Sequence, residues 1–201
     1  MSQEARDHMR AVLAMTEPLY RNEMPMLFDN MGFRIGAEVG VYKGQFSEIL
    51  LNTSRLTKLY SIDSWTDMDG NPMASVIKEC ESRLKKFGDR SEIMRATSVQ
   101  AASTFPDWFF DFVYIDADHR YEAVKADIAA WFPKVKPGGI LSGHDYSRKG
   151  RSLVPEMVTK AHPERYHKEV VPAVDEFVAA KGLQLGLTRD RPKSWWIVVS
   201  H

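Results

Sequence analysis

Apolar positions change their spacing repeatedly along this chain, and those changes divide it into alternating strands and helices. A β-favouring stretch, Arg34–Gly40, ends at a glycine and is followed by Gly44. Phe46, Ile49 and Leu50 then fall on one face at helical spacing, which predicts a helix over Gln45–Thr53. Lys58–Asp63 reads as a short buried strand ending in an acid. Asn71-Pro72 opens a helix whose apolar face is Met73, Val76, Ile77, Cys80, Leu84 and Phe87.

The alternation continues with a strand at Ser91–Ala96, a short helix near Val99–Thr104 and a nearly unbroken apolar strand, Phe110–Asp116. Continuous apolarity of that kind marks a strand covered on both faces. Tyr121, Val124, Ile128, Trp131 and Phe132 line one side of a helix over Arg120–Val135. A Pro137-Gly138-Gly139 turn returns the chain to a strand at Ile140–His144. The last elements are a helix near Glu169–Lys181 and strands at Leu183–Thr188 and Ser194–Ser200, the final pair fit for an antiparallel hairpin at the sheet's edge. Repeated strand–helix units with buried strands need crossover connections, so the expected fold is doubly wound α/β with a mostly parallel sheet.

Two segments stand apart. Residues 1–31 form an N-terminal helical segment; MSQEARDHMRAVLAM mixes both charge signs and reads as an amphipathic helix, not a leader. Residues 146–168 are basic, weakly periodic and carry His162 and His167, as a lid or a substrate-side insertion would. A single domain over 1–201 accommodates everything.

Composition narrows the partners. The 27 basic and 27 acidic residues cancel, so no overall field favours nucleic acid or an anionic membrane. No apolar run reaches the roughly 20 residues a spanning helix needs. The one cysteine, Cys80, excludes an internal disulfide and a cysteine-rich zinc site; it lies on an apolar helix face and suits a reducing cytoplasm. A homo-oligomer is compatible with all of this.

Ligands of an open parallel sheet bind beyond the carboxyl ends of its strands. Those ends carry Glu38 with Gly40 and Gly44, then Asp63, Ala96-Thr97-Ser98, Asp116 to His119, and His144-Asp145. The first loop, Gly40-Val41-Tyr42-Lys43-Gly44, has neither G-x-G-x-x-G spacing nor a Gly-Lys-Ser ending. Its glycines admit close backbone approach, Glu38 can meet a cationic amine, and Asp63 can accept hydrogen bonds from both ribose hydroxyls. Together they describe a nucleoside ligand without pyrophosphate, although Asp63 also reads as a turn or cap residue.

AEVGVYKGQFSE, LYSIDSW, FDFVYIDADHRYEAVKADI and KPGGILSGHDY, with the closing SWWIVV, resemble the class I S-adenosylmethionine-dependent methyltransferases. The likeness is to the small O-methyltransferases related to catechol and macrocin methyltransferases. It implies a seven-stranded sheet, S-adenosyl-L-methionine as cofactor and a small-molecule acceptor methylated at a hydroxyl oxygen. The methionine end would lie near Glu38, Gly40, Tyr42 and Gly44, the ribose at Asp63, and the adenine among Ser64, Trp65, Thr97 and Ser98, with Asp116 also touching the cofactor. A divalent metal would be held by Asp116, His144 and Asp145, with His119 as catalytic base. Magnesium is the family's default, but a histidine among the ligands suits manganese, iron, cobalt or zinc better.

Rival readings exist for parts of this set. Asp116-Ala117-Asp118 matches the D-x-D pattern of metal-dependent glycosyltransferases. His119, His144 and Asp116 can be cast as a non-haem iron triad, and the fold can serve a non-catalytic binding protein. Trp131, Phe132, Trp195 and Trp196 are read as packing residues, Trp195 or Trp196 being an alternative acceptor wall.

Overall fold

The computed structural model describes residues 20–66, 70–147 and 169–200. His162 and His167, the bulk of the 146–168 insertion and most of the N-terminal segment lie outside the described residues. In chain order the main described elements are a 3₁₀ turn at Arg21–Glu23, α1 (Met24–Asn30), β1 (Ile35–Val39), α2 (Gln45–Thr53), β2 (Lys58–Asp63) and α3 (Ala74–Leu84), which runs into a 3₁₀ stretch at Lys85–Arg90. They continue with β3 (Ser91–Arg95), α4 (Ser98–Ser103), β4 (Phe110–Ile115), α5 (Tyr121–Trp131), β5 (Val135–Tyr146), α6 (Val170–Lys181), β6 (Leu185–Leu187) and β7 (Lys193–Val198).

The seven strands form one sheet in the order β3-β2-β1-β4-β5-β7-β6. Pairings from β3 through β5 are parallel, while β7 runs antiparallel to both β5 and β6. The order reverses beside β1, which creates the crevice in which ligands of such sheets bind. The predicted closing hairpin is present, with β6 outermost and β7 inside the sheet.

Side-chain alternation along β4 builds both layers. Val113 and Ile115 join Val124, Ile128, Trp131 and Val174 on the face covered by α4, α5 and α6. Phe112 and Tyr114 join Leu27, Phe28, Phe46, Leu50 and Leu84 on the face covered by α1, α2 and α3. Phe112 stacks on Phe28 with ring centres 4.0 Å apart, so α1 is fastened to the sheet by aromatic contact. Cys80 lies in this second layer, fully buried; burial pushes its thiol up to about 12, which fits a packing role. Trp131 and Trp195 are likewise buried core, and Trp196 nearly so.

β5 differs most from its predicted extent. It runs through Pro137-Gly138-Gly139, which forms an irregularity in the strand instead of a preceding turn. The register against β4 slips between the Phe110–Val135 and Phe112–Ile140 pairs, and Gly138 takes φ +87°. A second slip, against β7, lies between Gly143 and Tyr146. Among the described residues no helix is long and apolar enough to cross a membrane.

Candidate active site

The loop after β1 is shaped by left-handed backbone at Gly40 (φ +90°), Tyr42 (+52°) and Gly44 (+75°), Gly44 serving as the N-cap of α2. A Cβ at Gly40 would stand 2.1 Å from the Asp116 carbonyl oxygen, so only glycine lets the ends of β1 and β4 approach this closely. The Asp116 N–H donates to Val39 O at 2.7 Å across the same junction.

Glu38 is buried at the end of β1, where it accepts a hydrogen bond from Ser47 Oγ on α2. Ser47 in turn lies 2.7 Å from Ser61 Oγ on β2. Burial pushes the Glu38 carboxyl up to about 8, against the opposing pull of the Ser47 hydrogen bond and the Arg21 charge. Asp63 ties two loops together: Oδ2 accepts from Tyr42 N at 2.8 Å and Oδ1 from Trp65 N at 2.7 Å. Each oxygen keeps a further lone pair for a ligand hydroxyl.

Of the residues expected around an adenine, Trp65 is enclosed, its ring buried and its Nε1 donating to Tyr42 O at 2.8 Å. Ser64 pairs with Thr66 at 2.9 Å. Thr97 caps α4 and donates to Gln100 Oε1 at 2.7 Å. The Ser98 hydroxyl accepts from Trp131 Nε1 at 2.9 Å and bonds to Asp127, a carboxyl that burial raises to about 6. Asp127 was not singled out from sequence. Its signal was there, however: an acid set among Val124, Ile128 and Trp131 on the apolar side of a helix.

The ends of β4 and β5 bring the remaining candidates together. Asp116 Oδ1 faces both histidines, 3.3 Å from His119 Nε2 and 3.6 Å from His144 Nδ1. Asp145 Oδ2 lies 2.8 Å from His119 Nε2 and 3.9 Å from His144 Nδ1. In a regular strand His144 and Asp145 would point to opposite faces. Here the β5 slip and the left-handed Asp145 (φ +58°) turn both toward one centre.

One ligand atom from each of Asp116, His144 and Asp145 falls within 4.8 Å of the others, a spread that suits a single cation. Asp118 stands outside this group and is engaged by Arg120.

Electrostatics couple these groups. Burial pushes the Asp116 carboxyl up, but His119, His144 and Arg21 more than offset it and hold it below the ordinary range. Burial also works against charge on His119, and the Asp116 and Asp145 carboxylates overcome that and raise its pKa to about 9. In this arrangement the ring is an imidazolium at neutral pH. The carboxylates of Asp116 and Asp145 thus favour the protonated ring. Arg21 was also missed, since it sits in a mixed-charge segment and reaches Asp116 only through the fold; its Nη2 donates to Asp116 Oδ2 at 2.8 Å.

Comparison with known proteins agrees with this geometry. A family model described as a methyltransferase domain matches residues 37–146, from β1 to the end of β5. A curated relative, the uncharacterized protein y4gI of Sinorhizobium fredii, is 23% identical over 113 residues, 55% of this chain. The match spans only 12% of that relative's length.

A Staphylococcus aureus structure described as a "putative caffeoyl-CoA O-methyltransferase" superposes with TM-score 0.68 at 14% identity, covering 98% of this chain and 93% of that one. The Podospora anserina methyltransferase PaMTH1, with S-adenosylhomocysteine bound, gives 0.66 at 13% identity, covering 100% and 89%. A Bacillus cereus O-methyltransferase, in complex with the same product, gives 0.61 at 15%, covering 98% and 92%. At these identities the structures speak for the fold, and the family match speaks for descent: this chain belongs to the methyltransferase domain family, on the class I S-adenosylmethionine-dependent fold.

Proposed function

We propose that this protein transfers a methyl group from S-adenosylmethionine to the hydroxyl oxygen of a small molecule, with the aid of a divalent cation held by Asp116, His144 and Asp145. The observation that carries the reading is the meeting of those three residues and His119 at the ends of β4 and β5, against the glycine loop. Glu38, Gly40, Tyr42 and Gly44 serve the cofactor's methionine end, Asp63 its ribose, and Ser64, Thr97 and Ser98 the adenine side, with Trp65 supporting the wall from behind.

The donor set fits a cation, and its imidazole favours manganese, iron, cobalt or zinc over magnesium. Such an ion supplies Lewis acidity that lowers the acceptor hydroxyl's pKa. With Asp116 and Asp145 sharing their charge, His119 holds its proton less tightly, and Nε2 is freed to take the hydroxyl proton. The acceptor oxygen forms its bond to the methyl carbon as the carbon–sulfur bond breaks, and the sulfur leaves as a neutral thioether. The single domain over 1–201 and a reducing cytoplasm for the buried Cys80 complete the reading.

The test is methyl transfer from labelled S-adenosylmethionine to a panel of catechols, sugars and other small alcohols, with and without a strong chelator. Methylated product that disappears on chelation and returns with manganese supports the proposal. Full activity under chelation rejects the cation, and exclusive labelling of nitrogen or carbon rejects the hydroxyl acceptor.

A further inference from the structure

We infer that Arg21 receives the α-carboxylate at the amino-acid end of the cofactor. The inference rests on the cofactor assignment above and adds to it a residue outside the family-matched segment 37–146. Arg21 enters the site from the 3₁₀ turn before α1, with its backbone N–H fixed by Asp190 Oδ2 at 2.7 Å. Its guanidinium carbon lies 4.2 Å from the centre of the Phe46 ring and 5.2 Å from that of Tyr114. Phe46 belongs to the first turn of α2, directly after the glycine loop, so the cation hangs over the end of the site that Glu38 serves.

Nη2 is engaged by Asp116, yet Nε is buried and has no hydrogen-bond partner among the described residues. A buried N–H left unmatched is costly and calls for an acceptor, here one that a ligand brings. The ligand's chemistry follows from the two charges that meet here. Glu38 and Arg21 act on each other electrostatically, the carboxylate form of Glu38 being opposite in sign to the guanidinium. An amino-acid zwitterion offers each a complement, its ammonium to Glu38 and its carboxylate to Arg21. The guanidinium is planar, so Nε and a remaining N–H of its edge can grip a carboxylate at two points, which a lysine ammonium cannot imitate.

The test treats the ligand's carboxylate and the Arg21 side chain as the two partners of a double-mutant cycle. Binding of S-adenosylhomocysteine and of its decarboxylated analogue is measured by calorimetry on the full chain, wild type, Arg21→Met and Arg21→Lys, without added metal. Wild type is expected to favour the carboxylated ligand by about tenfold or more. Arg21→Met should lose most of that preference, and Arg21→Lys should keep a part of it.

Retention of the wild-type preference in Arg21→Met overturns the inference while leaving the cofactor assignment standing. Equal weakening of both ligands in a variant whose thermal unfolding is unchanged also overturns it, since Arg21 would then only shape the pocket. Wild-type protein that binds neither ligand overturns the inference and the cofactor assignment together.

Discussion

Replacing Glu38 by Gln should remove a pH dependence that one buried carboxyl imposes on the whole domain. In the folded chain the carboxyl accepts from Ser47, which in turn meets Ser61, with Arg21, Asp116 and Asp63 as charged neighbours, and burial raises its pKa from 4.5 to about 8. A group with a raised folded-state pKa contributes stability that is complete below its unfolded pKa and is lost as pH rises through the folded value. The window is therefore about pH 4.5 to 8. Within it, every tenfold fall in proton concentration removes about 1.4 kcal/mol, so wild type should lose about 2–3 kcal/mol from this group between pH 5 and pH 7.

Gln keeps the shape and an oxygen for Ser47 but cannot ionise. Urea unfolding of both proteins at pH 5, 6, 7 and 8 gives two stability curves, and their difference isolates Glu38 from His119 and Asp127, which titrate in both. The difference should shift steadily in favour of the variant as pH rises. A flat difference curve would refute the reasoning and show Glu38 ionised in the fold, held so by Arg21. Function is coupled to the same proton. A cofactor ammonium pairs with the carboxylate form, so S-adenosylhomocysteine should bind wild type more tightly as pH approaches 8, and Glu38→Gln should lack that trend.

Two further outcomes follow from the site. His119→Ala should leave S-adenosylhomocysteine affinity nearly intact and lower turnover about 10²–10⁴-fold, as removal of a general base does; unimpaired single-turnover rates would remove His119 from the chemistry. Gly40→Ala meets a left-handed backbone and a 2.1 Å contact with the Asp116 carbonyl, so its denaturation midpoint and its cofactor affinity should both fall. An unchanged midpoint would show that the β1–β4 junction yields more readily than its geometry implies.

Much of the fold was legible because burial writes itself into spacing. The helix Gln45–Thr53 and the strand Lys58–Asp63 have the ends that their apolar periodicity implies. Other strands are shorter than their apolar runs, as β6 shows: Leu183 packs against the core without joining the ladder. The start of β5 was not legible, because Pro137-Gly138-Gly139 reads as chain reversal whereas Gly138 takes a left-handed backbone within the strand and Gly139 serves close packing, a Cβ there standing 2.4 Å from Asp111 O.

The candidate site was legible in its residue types and much less so in its charge state. Asp116, His119, His144 and Asp145 come from the ends of two different strands, so the raised pKa of His119 depends on distances that no local pattern encodes. Arg21 was illegible for the same reason, coming to Asp116 from 95 positions away in the chain. Asp127 was the missed opportunity, since an acid within an apolar helical stripe asks for a partner, and Ser98 provides it.

The irregular end of β5 has a physical reason of the same kind. A regular strand would send one of His144 and Asp145 into a hydrophobic layer and leave the other at the crevice. Holding both at one centre takes a break in the β5–β7 register and a residue that tolerates positive φ, a conformation to which aspartate is better suited than most side chains. Gly143, just before the break, lies where a Cβ would be 2.6 Å from Ile115 O and 2.7 Å from Trp195 Nε1, so the strand is gripped from both sides up to the point where it departs from regularity. The rigid sheet thus ends in a short distorted segment, and the placement of His144 and Asp145 beside Asp116 and His119 depends on the neighbouring strands holding that distortion in place.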